Sequence, residues 1–293
     1  MRVLLAGLCT VDVVQRVTEF PEPSEKTQSL RVDVAAGGPA TNAAVTVAAL
    51  GGDATLVTAL GAHPLAALAR ADLESCGVEL VDLAPERSQP PPVSAVVVRE
   101  DDGERTVVSR NAAADAPLEL PDLAAVFDRP GGIDAVLLDG HHPELALAVA
   151  EEARRREVPV VLDAGSWKPV LDQLLPLVRV AACSARFRAP APGLAERGVP
   201  VTVVTAGPEP VRWSTTEDSG QVPVPRVRAR DTLGAGDVWH GALAYAVARR
   251  DDGVPGWIGY ANAIAAERVK HVGPRSWTKA VGKLAGSREE GVR

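Results

Sequence analysis

Two clusters and one further aspartate in this chain combine residue types and positions that suit phosphoryl chemistry. The sharpest is Asp231-Thr232-Leu233-Gly234-Ala235-Gly236-Asp237, which runs directly into the helical stretch Val238 to Arg249. Small residues at a helix start let unpaired backbone N–H groups converge on one spot, where the helix dipole adds partial positive charge. Gly234, Ala235 and Gly236 thus read as an anion hole. Asp237, in the first turn beside it, could take the proton of an attacking hydroxyl while the amides hold the transferring phosphoryl group. A plainer reading stays open, because a Gly-rich turn with an aspartate near a helix start also serves as a cap.

The second cluster is Ala36-Gly37-Gly38-Pro39-Ala40-Thr41-Asn42, again passing from an extended segment into a helix. Gly37 and Gly38 permit a bend and the close approach of a ligand, and Asn42 offers donors and acceptors suited to vicinal hydroxyls. Taken alone, the same residues make an ordinary strand-to-helix turn. Asp12 follows the first apolar run, where a parallel sheet presents its strand ends. A carboxylate there could accept from two sugar hydroxyls, or be a plain loop aspartate.

Stepping outward, short β-rich runs alternate with alanine-rich helical stretches. The strands read as Val3 to Leu8, Thr55 to Ala59, Ala135 to Leu138, Val158 to Leu162, Ala181 to Cys183 and Val201 to Val204. The helices read as Thr41 to Leu50, Pro64 to Cys76, Pro143 to Arg156 and Ala235 to Arg249. This alternation predicts βαβ units, a three-layer α/β/α domain with a mostly parallel central sheet, and ligands at the carboxyl ends of its strands. Residues 11–36 and 90–110 instead alternate apolar and polar positions between turns, as a half-exposed antiparallel sheet does. They predict a small β-sheet lid on a single domain that covers the whole chain. Residues 208–220 read as a surface loop, and the polar tail from about Gly282 as frayed.

Composition removes other classes. The chain has 293 residues, 46% of them apolar but only 3% aromatic, and a formal net charge of −7. Few base-stacking side chains and a negative balance argue against nucleic acid and anionic lipid as partners. Cys9, Cys76 and Cys183 lie far apart and form no CxxC pair, so neither a protein-held metal nor a disulfide framework is expected. No apolar run is long enough for a bilayer, and Val3 to Leu8 lacks a signal peptide's apolar core. A cytoplasmic enzyme is the expectation.

Together the clusters resemble the ribokinase-like superfamily of carbohydrate kinases, also called the phosphofructokinase B family. The resemblance runs from Gly7 and Asp12, through Gly37-Gly38, to Asp231 through Asp237. It implies an ATP-dependent transfer to a hydroxyl of a ketose or related sugar. Asp237 then matches the catalytic base and Gly234, Ala235 and Gly236 the anion hole, while Asp231 and Thr232 fall in the same nucleotide-side motif. Asp12, Gly37, Gly38 and Asn42 match positions that hold sugar hydroxyls. Val204-Thr205-Ala206-Gly207 looks like the strand end beside the nucleotide, making Thr205 and Gly207 phosphate or ribose candidates, and Asn262 resembles the helix flanking adenine.

Two departures bear on mechanism. The stretch Cys183-Ser184-Ala185-Arg186-Phe187 lacks the glutamate of the family's Asn-x-x-Glu element, which implies that Mg²⁺ is held chiefly by the nucleotide and water. Gly61-Ala62-His63-Pro64 replaces an acidic segment. Both look more like the ketohexokinase and sulfofructose kinase branches, and Gly38-Pro39-Ala40, Val160-Val161-Leu162-Asp163 and Asp237-Val238-Trp239-His240-Gly241-Ala242-Leu243 are similar to the latter. Lys26 in the lid resembles a lysine of the latter branch that could reach an anionic group; it also reads as a solvated loop lysine. His141 is a substrate candidate at a strand end, with His142, Arg110, Asn111, Trp167 and Trp213 weaker. A nucleoside kinase of the same fold, or a regulator that binds sugar or nucleotide without catalysis, remain alternatives. Lids in the superfamily often pair across a dimer, and an exposed sheet edge favours pairing, so a homodimer through the lid is expected.

Overall fold

The structure is a computed structural model, and it describes residues 1–110, 118–120, 122–249 and 252–290, the last four without side-chain detail. In chain order the elements are β1 Arg2–Ala6, β2 Thr10–Val17, β3 Arg31–Gly37, α1 Pro39–Ala49, β4 Asp53–Thr58, α2 Pro64–Ser75, β5 Val78–Asp82, β6 Val93–Arg99 and β7 Arg105–Ser109. They continue with α3 Leu123–Phe127, β8 Ala135–Leu138, α4 Pro143–Arg155, β9 Val160–Ala164, α5 Leu171–Leu174, β10 Val180–Ser184, β11 Val201–Ala206, β12 Glu209–Ser214 and β13 Ser219–Val222. Helices α6 Ala235–Arg249, α7 Gly253–Arg268 and α8 Thr278–Glu290 close the chain.

Nine strands form the large sheet in the order β13-β12-β11-β10-β9-β8-β1-β4-β5, parallel except for β12 and β13 at one edge. Its central strands are buried on both faces, which is why β8 reads as an unbroken apolar run. Alternate residues of β1 enter different cores. Val3 and Leu5 pack with α1, α2, α6, α7 and α8, whereas Leu4 and Ala6 pack with α3, α4 and α5. Leu137 is fully buried in the first of these cores, and cutting it back to alanine should cost about 2–5 kcal/mol. Proline starts α1, α2 and α4, where its missing N–H is no loss, and His63 Nδ1 accepts the Leu65 amide at 3.1 Å to cap α2.

The small sheet has the order β3-β2-β6-β7. Its outer pairs are antiparallel but β2 and β6 run parallel, so it is mixed and not the antiparallel sheet that the alternation of residues 11–36 and 90–110 predicts, since alternation marks a half-exposed face and not strand direction. One face carries Val14, Val96 and Val98, which pack against Leu233 of the anion-hole loop. The other exposes a cross-strand row, Val34, Val13, Ala95 and Val108, with Val108 72% exposed.

Two further expectations differ from the structure. Residues 208–220 are not a loop: Val211 and Trp213 pair inward as β12, and the hairpin turn at residues 215–218 had masked the alternation. The tail is not frayed at Gly282 itself, because Val281 and Ala285 bury one face of α8 in the core. Asn111 lies outside the described residues.

Candidate active site

The carboxyl ends of the parallel strands supply one wall of the site. Gly7 follows β1, and a Cβ there would fall 2.2 Å from the Asp139 carboxylate, so only glycine lets Asp139 in. Asp139, 1% exposed at the end of β8, accepts the amides of Leu8 at 2.8 Å, Ala40 at 3.2 Å and His141 at 2.9 Å. One buried carboxylate thereby ties two strand ends to the start of α1.

Gly37 and Gly38 have separate reasons to be glycine. A Cβ on Gly37 would sit 2.0 Å from Asp12 Oδ2, and Gly38 has φ +98° with the Leu8 carbonyl 2.4 Å from where a Cβ would be. Asp12 on β2 leans over Gly37 and accepts from Thr10 Oγ1 at 2.6 Å, while burial raises its pKa. A small cavity brings Asp12, Ala36, Asn42, Gly234 and Val238 to one opening, joining segments far apart in the chain.

Gly234 adopts φ +70°, which turns the loop into α6. The Ala235 amide is taken by Thr232 O at 3.2 Å three residues back, and the first bond of α-helical spacing is that of Val238 to Gly234 O at 2.9 Å. Among the described residues the Gly236 and Asp237 amides therefore have no backbone partner at the helix mouth. A Cβ on Gly236 would meet nothing within 4 Å, so the mouth has open space in front of it. Of the backbone amides expected to form an anion hole, that of Ala235 is therefore taken within the loop, whereas that of Gly236, and beside it that of Asp237, is not.

Asp237 accepts from Asn42 Nδ2 at 2.8 Å. Burial pushes its pKa up to about 6, the Asp163 charge pushes the same way, and the Asn42 bond and His240 oppose them. The other end of the Asn42 amide accepts from Arg275 Nη1 at 3.2 Å, which fixes its orientation. Arg275 in turn pairs with Asp72 at 2.8 Å and donates to Ala36 O at 2.5 Å, while Asp72 accepts the Ala36 amide at 2.9 Å. Asn42 is thus more engaged with Asp237 and Arg275 than a free hydroxyl reader would be. Beneath them His240 Nδ1 lies 2.8 Å from Gly236 O and 3.3 Å from Asp163 Oδ2; burial raises the pKa of Asp163.

Other candidates are placed differently. Asp231, 1% exposed, has its carboxylate occupied by Arg16 at 3.0 Å and by the amides of Leu233 at 3.0 Å and Gly273 at 2.9 Å, so it builds the loop and is not free to meet a nucleotide. Asn262 is also turned inward, accepting from Trp239 Nε1 at 2.8 Å and donating to Pro223 O at 3.1 Å. Both depart from the expected nucleotide contact, because a buried polar group must find partners inside. Thr232 faces the small sheet, donating to Gly103 O and accepting from Arg105, both at 3.0 Å.

Thr205 and Gly207 lie at the carboxyl end of β11; Gly207 has φ +62° and nothing within 4 Å of a Cβ position. Lys26 is exposed on the β2–β3 connection. His141 and His142 are partly buried at the β8 end, and burial lowers the pKa of both. Trp167 packs near Phe187 and under Arg197, Trp213 against Gly220, and Arg110 follows β7. Residue spacing did not single out Asp139, Arg268 or Arg275.

Fold and site together define an α/β protein in which a helix mouth with free backbone amides lies beside a buried carboxylate of raised pKa. The chain belongs to the pfkB family of carbohydrate kinases, phosphotransferases whose family model matches residues 2–280. An ATP-dependent ribose-1-phosphate kinase of Halopiger xanaduensis is 33% identical over 167 residues, a match spanning 56% of this chain and about half, 54%, of that protein. A ribokinase of Bacillus subtilis is 23% identical over 268 residues, 85% of this chain and 87% of that one. The structure of Arabidopsis thaliana ribokinase complexed with ribose and ATP superimposes with a TM-score of 0.77 at 22% identity, covering 97% of this chain and 98% of the other. No helix among the described residues is long and apolar enough to cross a membrane.

Proposed function

We propose that this protein transfers the γ-phosphoryl group of ATP to a hydroxyl of a small sugar, with Asp237 as the catalytic base. The observation that carries the reading is the pairing of Asp237 with unpartnered amides at the mouth of α6. A carboxylate with a pKa of about 6 is ionised at neutral pH yet basic enough to accept a proton in the transition state. The amides of Gly236 and Asp237 receive the negative charge of the phosphoryl group in flight. Asp12, held over Gly37, accepts from ring hydroxyls and sets the attacking oxygen near Asp237.

The acceptor is read as a furanose sugar with a free primary hydroxyl, a form common to ribose and to ketoses. The relatives named for ribose and ribose-1-phosphate support the pentose side, whereas Lys26 and the Gly61–Pro64 segment favour the ketohexokinase and sulfofructose kinase branches. ATP fits the open backbone at Gly236 and Gly207, with Thr205 beside it. Mg²⁺ fits as an ion borne by the nucleotide's phosphates and water, since no group of three acidic, histidine or cysteine side chains among the described residues could hold a metal. It would neutralise phosphate charge.

The small sheet is read as a lid whose Leu233 contact links it to the anion-hole loop, so that closure excludes water and spares ATP from hydrolysis. Its exposed valine row supports a homodimer through that face, checked by sedimentation at micromolar concentration. The central test is ATP consumption over a panel of pentoses, ketoses, phosphosugars and nucleosides, with Asp237→Asn as control. The variant should bind sugar and ATP but turn over at least about 10²-fold more slowly. A variant with near wild-type turnover removes Asp237 from the role. Turnover confined to nucleosides makes this a nucleoside kinase, and ligand binding without turnover a regulator.

A further inference from the structure

A buried arginine that no catalytic step uses lies directly behind the anion-hole loop. Arg268, at the end of α7, is 2% exposed. Its Nη2 donates to Leu233 O at 2.7 Å, and its Nη1 to His271 O at 2.8 Å and to Asp231 O at 3.5 Å. The Asp231 carboxylate is 3.7 Å away and is held more closely by Arg16 at 3.0 Å. Arg268 also lines the cavity that contains Asp12, Asn42 and Gly234.

Burying a guanidinium is costly unless its donors are satisfied. Here they are spent mainly on main-chain carbonyl oxygens of the loop itself, Asp231 and Leu233, and of the segment after α7, His271. Several carbonyl dipoles converging on one positive charge is the chemistry by which proteins hold a monovalent cation. The charge on which these carbonyl oxygens converge is in this case covalently attached. There is a steric consequence as well. In a trans peptide the N–H points opposite to the C=O, so drawing Leu233 O to Arg268 turns the Gly234 amide away from it. That plane leads into the left-handed Gly234 and the start of α6.

We propose that Arg268 is a built-in monovalent cation of the site, a positioning residue that sets the backbone of the anion-hole loop and makes the protein independent of free monovalent cations. The inference rests on the kinase reading for its catalytic consequence, but its structural half stands apart.

The test uses the full chain at constant ionic strength in the chlorides of potassium, sodium or tetramethylammonium, reading both melting temperature and the rate on an accepted sugar. Wild-type rates should agree within about twofold and melting temperatures should coincide, because no ion binds the folded state at this place. Activation by potassium or sodium of about tenfold or more overturns the proposal. Arg268→Met should lower kcat by about 10²-fold with a smaller change in KM for the sugar. Part of the loss should return, and the melting temperature rise, with millimolar guanidinium or with potassium. Arg268→Lys should keep most of the rate. A folded Arg268→Met with full activity, or one whose loss no small cation restores, overturns the proposal. If Arg268→Met does not fold, the wild-type ion series and the lysine variant decide. If the wild type phosphorylates no sugar, the kinase reading fails, while the ion dependence of the melting temperatures still decides the role of Arg268.

Discussion

The pH at which catalysis fails follows from the surroundings of Asp237. Burial and the Asp163 charge push its carboxyl up to about 6, against the pull of Asn42 and His240. A general base works only when ionised, so in the role proposed for Asp237 protonation as the pH falls through about 6 removes it. With that midpoint about nine-tenths of the molecules carry a competent base at pH 7 and about one-tenth at pH 5. An ordinary aspartate would still be about nine-tenths ionised at pH 5. The acid limb of kcat/KM should therefore have its midpoint near 6 and a slope of one. Asn42→Ala deletes the 2.8 Å bond to the carboxylate. Hydrogen bonds to charged groups contribute about 1.5–3 kcal/mol, and one pKa unit is about 1.4 kcal/mol, so the limb should move up by about one unit or more. The assay is steady-state kcat/KM for an accepted sugar between about pH 4.5 and about pH 8.5, with folding followed by circular dichroism. A wild-type limb at about pH 4, or an Asn42→Ala limb that stays put or moves down, would refute the assignment of the base and of the side chain that tunes it.

Other perturbations should act through neighbours of the same carboxylate. Asp163→Asn removes a charge that raises the Asp237 pKa, so its acid limb should shift downward, opposite to that of Asn42→Ala. Gly37→Ala places a Cβ about where the Asp12 carboxylate lies; displacing Asp12 should raise the sugar KM by about tenfold or more with a smaller change in kcat. Arg275→Met breaks the pair with Asp72 and leaves that half-buried carboxylate without its partner. Stability should fall by about 2 kcal/mol in urea titrations, and the freed Asn42 amide should let the acid limb drift upward.

Much of the architecture was legible because it is written in local patterns. Val3 to Leu8 and Ala135 to Leu138 are apolar at every position, as strands covered on both faces must be, and Pro64 and Pro143 mark helix starts by chain sterics alone. The small sheet was legible in the two-residue alternation of residues 11–36 and 90–110. The strand at Glu209–Ser214 was not, since Pro210 and the turn that follows imitate a loop and only pairing with β11 reveals it.

The chain's own order determined where backbone amides and a carboxylate would meet, because Gly234 to Asp237 are consecutive and a helix start has one geometry. It also marked Gly37 and Gly38 as places of close approach, though not what approaches. Only the tertiary structure decided that Asp12 and Leu8 fill those spaces, that Asp139 ties the strand ends, and that Asp231 and Asn262 face inward. Arg275 reaches Asn42 from 233 residues away, and Arg268 reaches the anion-hole loop from another helix. Contacts of that kind depend on how folded layers bring side chains together, and no period or spacing along a chain encodes them.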